Sequence, residues 1–244
     1  MDDQEILNLM IKTGAVKAGD MVLEVGPGEG TLTTNLLNVG AKVVAIEKDA
    51  RLIPILAKKF EQEIKEGKLE LIEGDILDLY YQENLPTTLK TKKHKLIANI
   101  PYYLTGELIK LFLQANQRPT LAVLLIQKEV GERVTSYKNK ESVLSLAVKL
   151  YCKPSYIATV PKILFNPAPK VDSSIILFDN IHPAPKNIEV EHFFKLVKQA
   201  FSGKRKKLSN TLTEYNEQLI KCGINPDVRP ENVEFEKWLC LARK

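Results

Sequence analysis

Short apolar runs alternate with segments of helical spacing through the first two-thirds of this 244-residue chain. Five runs have the length and composition of buried strands: Met21–Val25, Lys42–Glu47, Leu69–Glu73, Lys95–Asn99 and residues 121–127. Between them, apolar residues recur every three or four positions, which predicts helices over Thr31–Asn38 and over residues 51–64 and 105–115. This alternation is typical of an α/β fold with a mostly parallel sheet and helices on both faces.

The pattern changes after residue 127. Two helical segments, one reaching about residue 137 and one over 141–151, precede two strand-like segments, 155–160 and 173–178. We expect these two strands to pair antiparallel and to close the sheet. Residues 182–186 (His-Pro-Ala-Pro-Lys) have the composition of a linker, and helical patterns alone follow, over 190–201, 207–222 and 230–243. The prediction is an α/β domain over residues 1–181 and a small helical domain over residues 187–244.

The composition is that of a globular protein with a moderately basic surface. Hydrophobic residues make up 44% of the chain, charged residues 27%, and the net charge of +5 permits a polyanionic partner without requiring one. Cys152, Cys222 and Cys240 lie far apart without a CxxC pair, so we expect reduced thiols, a cytoplasmic location and no metal site. No apolar run is long enough to span a membrane, and the first residues show no export signal.

A glycine-rich turn follows the first predicted strand. Gly26, Gly28 and Gly30 form the pattern G-x-G-x-G directly before the first predicted helix. Glycines at such a turn allow backbone amides to approach a ligand at a helix N-terminus, so we expect Gly26 and Gly28 to contact a cofactor. The third glycine of the dinucleotide pattern G-x-G-x-x-G would fall on Thr31, which disfavours NAD. A glycine turn alone is weak evidence for any ligand.

Carboxylates at the next two strand ends make the ligand more specific. Glu47 ends the second strand, where an acid can accept hydrogen bonds from both ribose hydroxyls. Asp75 follows the third strand and is placed to accept from an adenine amine, with Ile76 covering the ring. A ribose and an adenine without a phosphate cradle fit S-adenosylmethionine, whose cationic sulfonium would be favoured by an acid such as Glu24. Either carboxylate alone is more typical of a solvated loop than of a binding site, and the two together, after a glycine turn, favour binding.

The fourth predicted strand ends in the tetrapeptide Asn-Ile-Pro-Tyr, residues 99–102. Alone it is also typical of an ordinary turn. Beside a nucleoside cofactor, the Asn99 side chain and the Ile100 carbonyl can accept both N–H bonds of a base amine while Tyr102 stacks on the ring. These bonds draw the nitrogen toward tetrahedral geometry and present its lone pair to a methyl donor. The tetrapeptide therefore predicts methyl transfer by positioning and electrostatics, with no metal.

Two further features concern the substrate. Phe165, in a proline-stiffened turn, can stand over the opposite face of a flipped-out base, although a core aromatic capping the sheet would give the same sequence. The second feature is an uninterrupted basic run: Lys204, Arg205, Lys206 and Lys207. This run is compatible both with phosphate contacts and with a solvated helix face.

Together these segments resemble the ribosomal RNA adenine dimethyltransferases, the family that modifies adenines near the end of small-subunit rRNA. The resemblance extends over nearly the whole chain, through residues 22–28, 44–47, 74–76, 99–102, 127–133, 165–173 and 200–210. It implies a Rossmann-like class I methyltransferase fold with a seven-stranded sheet and a C-terminal helical domain that recognises RNA. It also implies S-adenosylmethionine as the cofactor, contacted by Gly26, Glu47, Asp75 and Asn99.

The same resemblance implies a substrate pocket. Asn99, Tyr102 and Phe165 would form it, and two methyl groups would be placed on one adenine N6 nitrogen. Family members usually carry a further N-terminal segment with a Gly-Gln-Asn-Phe-Leu-like motif that folds over the cofactor. This sequence begins at Met1, just past the place of that motif, so either the sequence starts late or this member closes its cofactor site differently.

Three functions remain as hypotheses. The first is N6-dimethylation of small-subunit rRNA during ribosome assembly, by a cytoplasmic monomer that acts on the immature subunit without metal or membrane. The second is the related methylation of large-subunit rRNA that confers macrolide resistance; residues 201–210 favour the first over it. The third is a non-catalytic RNA- or DNA-binding factor on the same fold. The intact residues 99–102, with Glu47 and Asp75, disfavour this third hypothesis.

Overall fold

The computed structural model of the chain describes residues 3–165, 167–203 and 205–243. It contains a seven-stranded sheet in the order β3-β2-β1-β4-β5-β7-β6. The strands are β1 Met21–Val25, β2 Lys42–Glu47, β3 Leu69–Glu73, β4 Lys95–Asn99, β5 Ala122–Gln127, β6 Lys153–Val160 and β7 Ser173–Asp179. The first five strands pair parallel, and β7 pairs antiparallel with both β5 and β6. The predicted α/β class, including its antiparallel closing pair, is confirmed.

Helices connect and follow these strands. In the described part of the chain they are α1 Gln4–Thr13, α2 Thr31–Asn38, α3 Ile53–Lys59, α4 Glu61–Lys65, α5 Ile76–Tyr81, α6 Thr87–Thr91, α7 Thr105–Gln114, α8 Lys128–Thr135, α9 Val143–Lys149, α10 Val190–Ala200, α11 Leu208–Thr211, α12 Asn216–Lys221 and α13 Phe235–Leu241. Single 3₁₀ turns lie at Tyr102–Leu104, Lys162–Leu164, Thr213–Tyr215 and Pro230–Asn232. None of the described helices is both long and apolar enough to cross a membrane.

Some of these helices differ from the predictions. The sequence analysis did not predict α1, which begins where the Asp3 side chain accepts a hydrogen bond from the Ile6 amide and which buries Leu7, Met10 and Ile11. The predicted helix over 51–64 is two helices, because the backbone leaves helical geometry at Phe60, with φ −112° and ψ 28°. Since the Phe60 side chain is buried in the core, its packing outweighs the local helical preference.

The chain folds into two compact units. Residues 3–131 and 153–181 form the first, which contains the sheet, and residues 132–152 and those from 182 onward form the second. The prediction assigned 132–152 to the first domain, but in the structure α9 packs on α10 of the second unit. A backbone hydrogen bond of 2.8 Å from Glu141 to Glu231 further joins this segment to the C-terminal helices.

A disulfide joins Cys222 and Cys240 in the second unit. The expectation of three reduced thiols is therefore wrong for this pair, and it holds for the buried Cys152. The two paired cysteines are 18 residues apart, at the end of α12 and within α13. Their spacing is uninformative because only the tertiary arrangement of these two helices brings the sulfur atoms together.

The glycine turn between β1 and α2 provides a stability test with a matched control. Gly28 and Gly30 both have positive φ, 59° and 80°, but an added Cβ would have open space at Gly28 and would lie 2.5 Å from the Phe60 ring at Gly30. We expect Gly30→Ala to lower the free energy of unfolding by about 2 kcal/mol more than Gly28→Ala, because only Gly30→Ala forces the buried ring to move. Urea denaturation of both variants measures this difference, and equal losses would contradict it.

Candidate active site

A cleft opens at the carboxyl edge of the parallel strands. Its lining includes Gly26 after β1, Glu47 at the end of β2, Asp75 and Ile76 after β3, and Pro101 after β4. Parallel strands place all their carboxyl ends at one edge, and this is where open α/β sheets bind ligands. The structure thus brings together residues that are up to 75 positions apart in the sequence.

The glycine turn forms one wall of this cleft with its backbone. Gly26 has a φ of 67° and donates a 2.9 Å hydrogen bond to the Ile46 carbonyl, which fixes the turn against β2. A Cβ on Gly26 would meet only the Pro101 ring, at 3.7 Å, and one on Gly28 would meet no atom within 4 Å. The space beside both predicted cofactor-binding glycines is therefore open to a ligand.

Glu47 presents a buried and fixed carboxylate to the cleft. Its Oε2 accepts a 3.1 Å hydrogen bond from the Gly28 amide, and its Oε1 accepts a 2.9 Å bond from the Asp49 amide. Each carboxylate oxygen can accept a further bond, so both remain able to take a hydroxyl donor. This arrangement fits the predicted recognition of two adjacent ribose hydroxyls.

Asp75 is held in place from two sides. Its Oδ1 accepts from the Leu77 amide at 2.9 Å, as the N-cap of α5, and its Oδ2 accepts from the Lys48 ammonium at 2.7 Å. The bond from Lys48, followed by that from the Leu77 backbone, holds the pKa of Asp75 below its ordinary value despite partial burial. Asp75 is thus an ionised acceptor at the mouth of the cleft, as expected for contact with an adenine amine. Ile76 beside it is buried and lines the cleft.

Glu24 is a buried carboxyl on β1. It is 1% exposed, and burial raises the pKa of its carboxyl to about 8, with a further contribution from the nearby Glu47 carboxylate. The Thr33 hydroxyl donates a 2.7 Å hydrogen bond to Glu24 Oε2, which opposes this rise without cancelling it. Burial therefore favours the neutral form of Glu24, which connects β1 to α2 through its hydrogen bond with Thr33. Its contribution to binding a sulfonium stays a prediction.

Asn99 lies half-buried at the end of β4, where its backbone is in register with Leu125 of β5. No side chain among the described residues hydrogen-bonds to its carboxamide. Immediately after it, the Ile100 amide donates to the Leu125 carbonyl at 3.2 Å, and Pro101 turns the chain away from the sheet. The Asn99 carboxamide therefore lies at the carboxyl edge with its hydrogen-bonding capacity free among these residues.

Tyr102 and Phe165 lie on converging segments. The Tyr102 hydroxyl is 2.8 Å from the Ser173 hydroxyl at the start of β7, which joins the 99–102 turn to the β6–β7 turn. Phe165, in the β6–β7 turn, is partly buried and packs against the hydrophobic core. Its predicted contact with a substrate base stays a prediction, because the same side chain also serves the core.

The predicted basic run lies between α10 and α11 of the second unit. Lys204 is outside the described residues. Arg205 and Lys206 are exposed, and the Arg205 backbone has a φ of 72°. The Lys207 ammonium lies 3.3 Å from the Asp227 carboxylate, so one of the predicted phosphate ligands already has an acidic partner.

Comparison with known proteins identifies the family. The sequence pattern of the family described as ribosomal RNA adenine dimethylase matches residues 1–243. The chain belongs to this family. This chain is 34% identical to the ribosomal RNA small subunit methyltransferase A of Dehalococcoides mccartyi (strain 195), over 98% of this chain and 84% of that protein. It is 37% identical to the protein of the same name from Prochlorococcus marinus (strain NATL1A), over 100% of this chain and 87% of that one.

Solved structures agree with this assignment. A dimethyladenosine transferase from Plasmodium falciparum superposes on the dimethylase with a TM-score of 0.76 and 28% identity, covering 99% of this chain and 95% of that one. The 23S rRNA methyltransferase ErmE superposes with a TM-score of 0.80 at 24% identity, over 98% and 96% of the two chains, and this likeness concerns the fold. The Rossmann-like methyltransferase fold and the family predicted from the motifs are confirmed.

The sequence analysis missed three residues that hydrogen-bond to side chains at or next to this site. Lys48 directly follows Glu47 and orients Asp75, while Thr33 and Ser173 provide hydroxyl partners for Glu24 and Tyr102. The adjacency of Lys48 to a predicted ligand was a signal in the sequence. No sequence pattern indicated Thr33 or Ser173, because only the tertiary fold brings each of these hydroxyls next to Glu24 or Tyr102. Among the described residues, no group of three or more His, Cys, Asp or Glu side chains is placed to hold a metal ion.

Proposed function

We propose that this dimethylase transfers methyl groups from S-adenosylmethionine to the N6 amine of adenosines in small-subunit ribosomal RNA. The observation that carries the proposal is the Asn99 carboxamide, which stands unbonded among the described residues at the same sheet edge as Glu47 and Asp75. The names of the relatives at 34% to 37% identity support the small subunit as the source of the RNA.

Residues from three strand ends fit the adenosyl part of the cofactor. The Glu47 carboxylate, fixed by two backbone amides, accepts from the ribose hydroxyls, and Asp75 accepts from the adenine amine with Ile76 against the ring. The open backbone at Gly26 and Gly28 leaves room for the remainder. When bound, S-adenosylmethionine supplies the electrophilic methyl group.

Asn99 and Ile100 act on the substrate amine. An adenine N6 lone pair is delocalised into the ring, which makes the amine a poor nucleophile. When the Asn99 Oδ1 and the Ile100 carbonyl each accept one N–H, the nitrogen moves toward tetrahedral geometry and its lone pair points to the methyl carbon. These two fixed acceptors also stabilise the positive charge that develops on nitrogen. The surplus proton then leaves to water. The methylated amine keeps one N–H, and one of the two acceptors presents it through that bond for the second methyl group.

Two aromatic rings complete the substrate pocket in this proposal. The hydrogen bond between the Tyr102 and Ser173 hydroxyls fixes the Tyr102 ring at its far end, so the ring is preorganised to stack on the base. Phe165 takes the opposite face with the part of its ring that the core leaves uncovered. We further propose that the protein acts as a monomer in the cytoplasm on immature small subunits.

A transfer assay with three arms tests this function. The protein is incubated with methyl-labelled S-adenosylmethionine and with immature small subunits, protein-free large-subunit rRNA or no RNA. We expect label on the small-subunit RNA alone, recovered as N6,N6-dimethyladenosine by mass spectrometry. Label on the large-subunit RNA alone would assign the other rRNA. Binding of RNA without label on either would overturn the enzymatic proposal.

The basic run allows a sharper test of RNA binding. Arg205 and Lys206 are exposed and are in no ion pair among the described residues, whereas Lys207 is near Asp227. We expect Arg205→Gln with Lys206→Gln to weaken RNA binding by about tenfold at low salt and to reduce the salt slope by about 1.4, while Lys207→Gln has a smaller effect. Filter binding across a salt series measures both quantities. An unchanged salt slope would show that the basic run is only a solvated surface and does not contact RNA.

A further inference from the structure

The turn between β6 and β7 presents an unusually exposed apolar side chain. Ile163 is 82% exposed, the largest exposed fraction of any large hydrophobic residue in the described chain, and Val171 of the same turn is 45% exposed. By contrast, their neighbours Leu164 and Phe165 pack against the core. The turn therefore directs one group of apolar side chains inward and leaves another in solvent.

The backbone around Ile163 is fixed. Ile163 is the middle residue of the 3₁₀ turn Lys162–Leu164, in which the Leu164 amide donates to the Pro161 carbonyl at 3.1 Å. The Lys162 amide donates to Asp172 Oδ1 at 3.1 Å, across the turn. Val160 and Ser173 are paired at its base. The position of the Ile163 side chain is thus set in advance and does not depend on a partner.

The same turn is bonded to the catalytic edge of the sheet. The Asp172 carbonyl accepts a 3.0 Å hydrogen bond from the Lys128 amide, directly after β5. The Ser173 hydroxyl is 2.8 Å from that of Tyr102. These two bonds hold the end of the turn beside Tyr102 and the end of β5, so Ile163 belongs to the turn that borders the substrate pocket proposed above.

The charges around Ile163 indicate what covers it. Lys128, Lys162 and Lys170 lie in or next to the turn, and none of them is in an ion pair among the described residues. An apolar side chain among unpaired ammonium groups suits unstacked nucleotides, which offer base faces and phosphates together. An adenine that reaches Asn99 must leave its stack, and apolar side chains commonly fill the gap left beside an extruded base.

We propose that Ile163 is a wedge that packs on the nucleotide adjacent to the target adenosine and keeps the target out of its stack. Lys162 and Lys170 contact the phosphates on either side. This inference rests on the proposed function, because the nucleotide concerned is the neighbour of the adenosine that Asn99 presents for methylation. It makes Ile163 a positioning residue for the substrate, distinct from the groups that touch the reacting nitrogen.

The test uses an RNA fragment with 2-aminopurine at the adenosine that the wild-type protein methylates. Its fluorescence rises when the base is unstacked. For Ile163→Ser at saturating protein with S-adenosylhomocysteine, we expect the rise to be largely lost and single-turnover methylation of the unlabelled RNA to slow by about tenfold. Ile163→Leu is expected to restore both. Ile55→Ser, at a 56% exposed isoleucine of α3 in the same unit, is the matched control and should leave both unchanged.

A separate experiment tests the proposed phosphate contacts of Lys162 and Lys170. Lys162→Gln with Lys170→Gln should reduce the salt slope of RNA binding by about 1.4, whereas Lys58→Gln, on an exposed lysine of α3, should not. The proposal for Ile163 would be overturned if Ile163→Ser had the wild-type fluorescence and methylation rate and the double lysine variant had the wild-type salt slope. That result would leave the proposed methylation function unaffected. Loss of binding to the ribosomal particle with unchanged binding to naked RNA would also overturn it, since the surface would then fit a protein. Absence of methylation of immature small subunits by the wild-type protein would instead overturn the proposed function.

Discussion

Replacing Asn99 with alanine is expected to reduce methyl transfer by at least about 10²-fold, because it removes one of two acceptors that hold the amine in its reactive geometry. The side chain is half-buried and has no side-chain hydrogen bond among the described residues, so its loss leaves the rest of the site in place. Single-turnover transfer from labelled S-adenosylmethionine measures the rate, and thermal unfolding checks the fold.

Binding measurements separate this role from a structural one. For Asn99→Ala, we expect RNA affinity to stay within about twofold of wild type, since phosphate contacts supply most of it. Asn38→Ala, at an exposed residue at the end of α2, is the matched control and should transfer at the wild-type rate. Near wild-type transfer by Asn99→Ala would show that another group presents the amine.

The second large effect is expected at Glu47. Glu47→Ala should weaken cofactor binding by about 10²-fold or more, because a carboxylate that accepts from two hydroxyls contributes about 1.5–3 kcal/mol per bond. The same change leaves the Gly28 and Asp49 amides without their acceptor, which loosens the glycine turn. Calorimetric titration with S-adenosylhomocysteine measures the dissociation constant.

Two companion variants resolve these contributions. Glu47→Gln keeps the size of the side chain and one acceptor oxygen, so we expect a loss intermediate between wild type and Glu47→Ala. Asp49→Asn changes the carboxylate two residues after Glu47, which bonds to Arg51. It should leave the affinity for S-adenosylhomocysteine within about twofold of wild type. An affinity unchanged in Glu47→Ala would contradict the assignment of Glu47 to the ribose.

The β-strands could be predicted closely from the sequence. A strand buried on both faces is mostly apolar, as β1, β2 and β4 are, and these three begin and end at the predicted residues. The edge strand β3 also has the predicted bounds, although only Leu69 of it is buried. The helices were less predictable, because the bounds of an amphipathic helix depend on its packing against neighbouring elements as much as on its own sequence. The predicted helix over 207–222 is interrupted at residues 212–215, where Leu212 is fully buried and the chain makes a 3₁₀ turn.

The candidate site shows the same division. Glu47, Asp75 and Asn99 follow strand ends, and the parallel order of those strands is enough to place them at one edge. The hydroxyl partners of Glu24 and Tyr102 were not predictable from the sequence. Burial raises the pKa of Glu24, and burial depends on the complete core rather than on nearby sequence.

The sequence by itself determined the fold class, the family and the residues at the sheet edge, because strand burial and strand-end chemistry are local patterns that a parallel sheet brings together automatically. The tertiary structure alone decided the disulfide between Cys222 and Cys240, the ion pair that orients Asp75 and the bond between Tyr102 and Ser173 that holds the β6–β7 turn at the sheet edge. Each of these depends on distances between segments far apart in the chain. Such distances are set by the packing of whole elements, which no local pattern encodes.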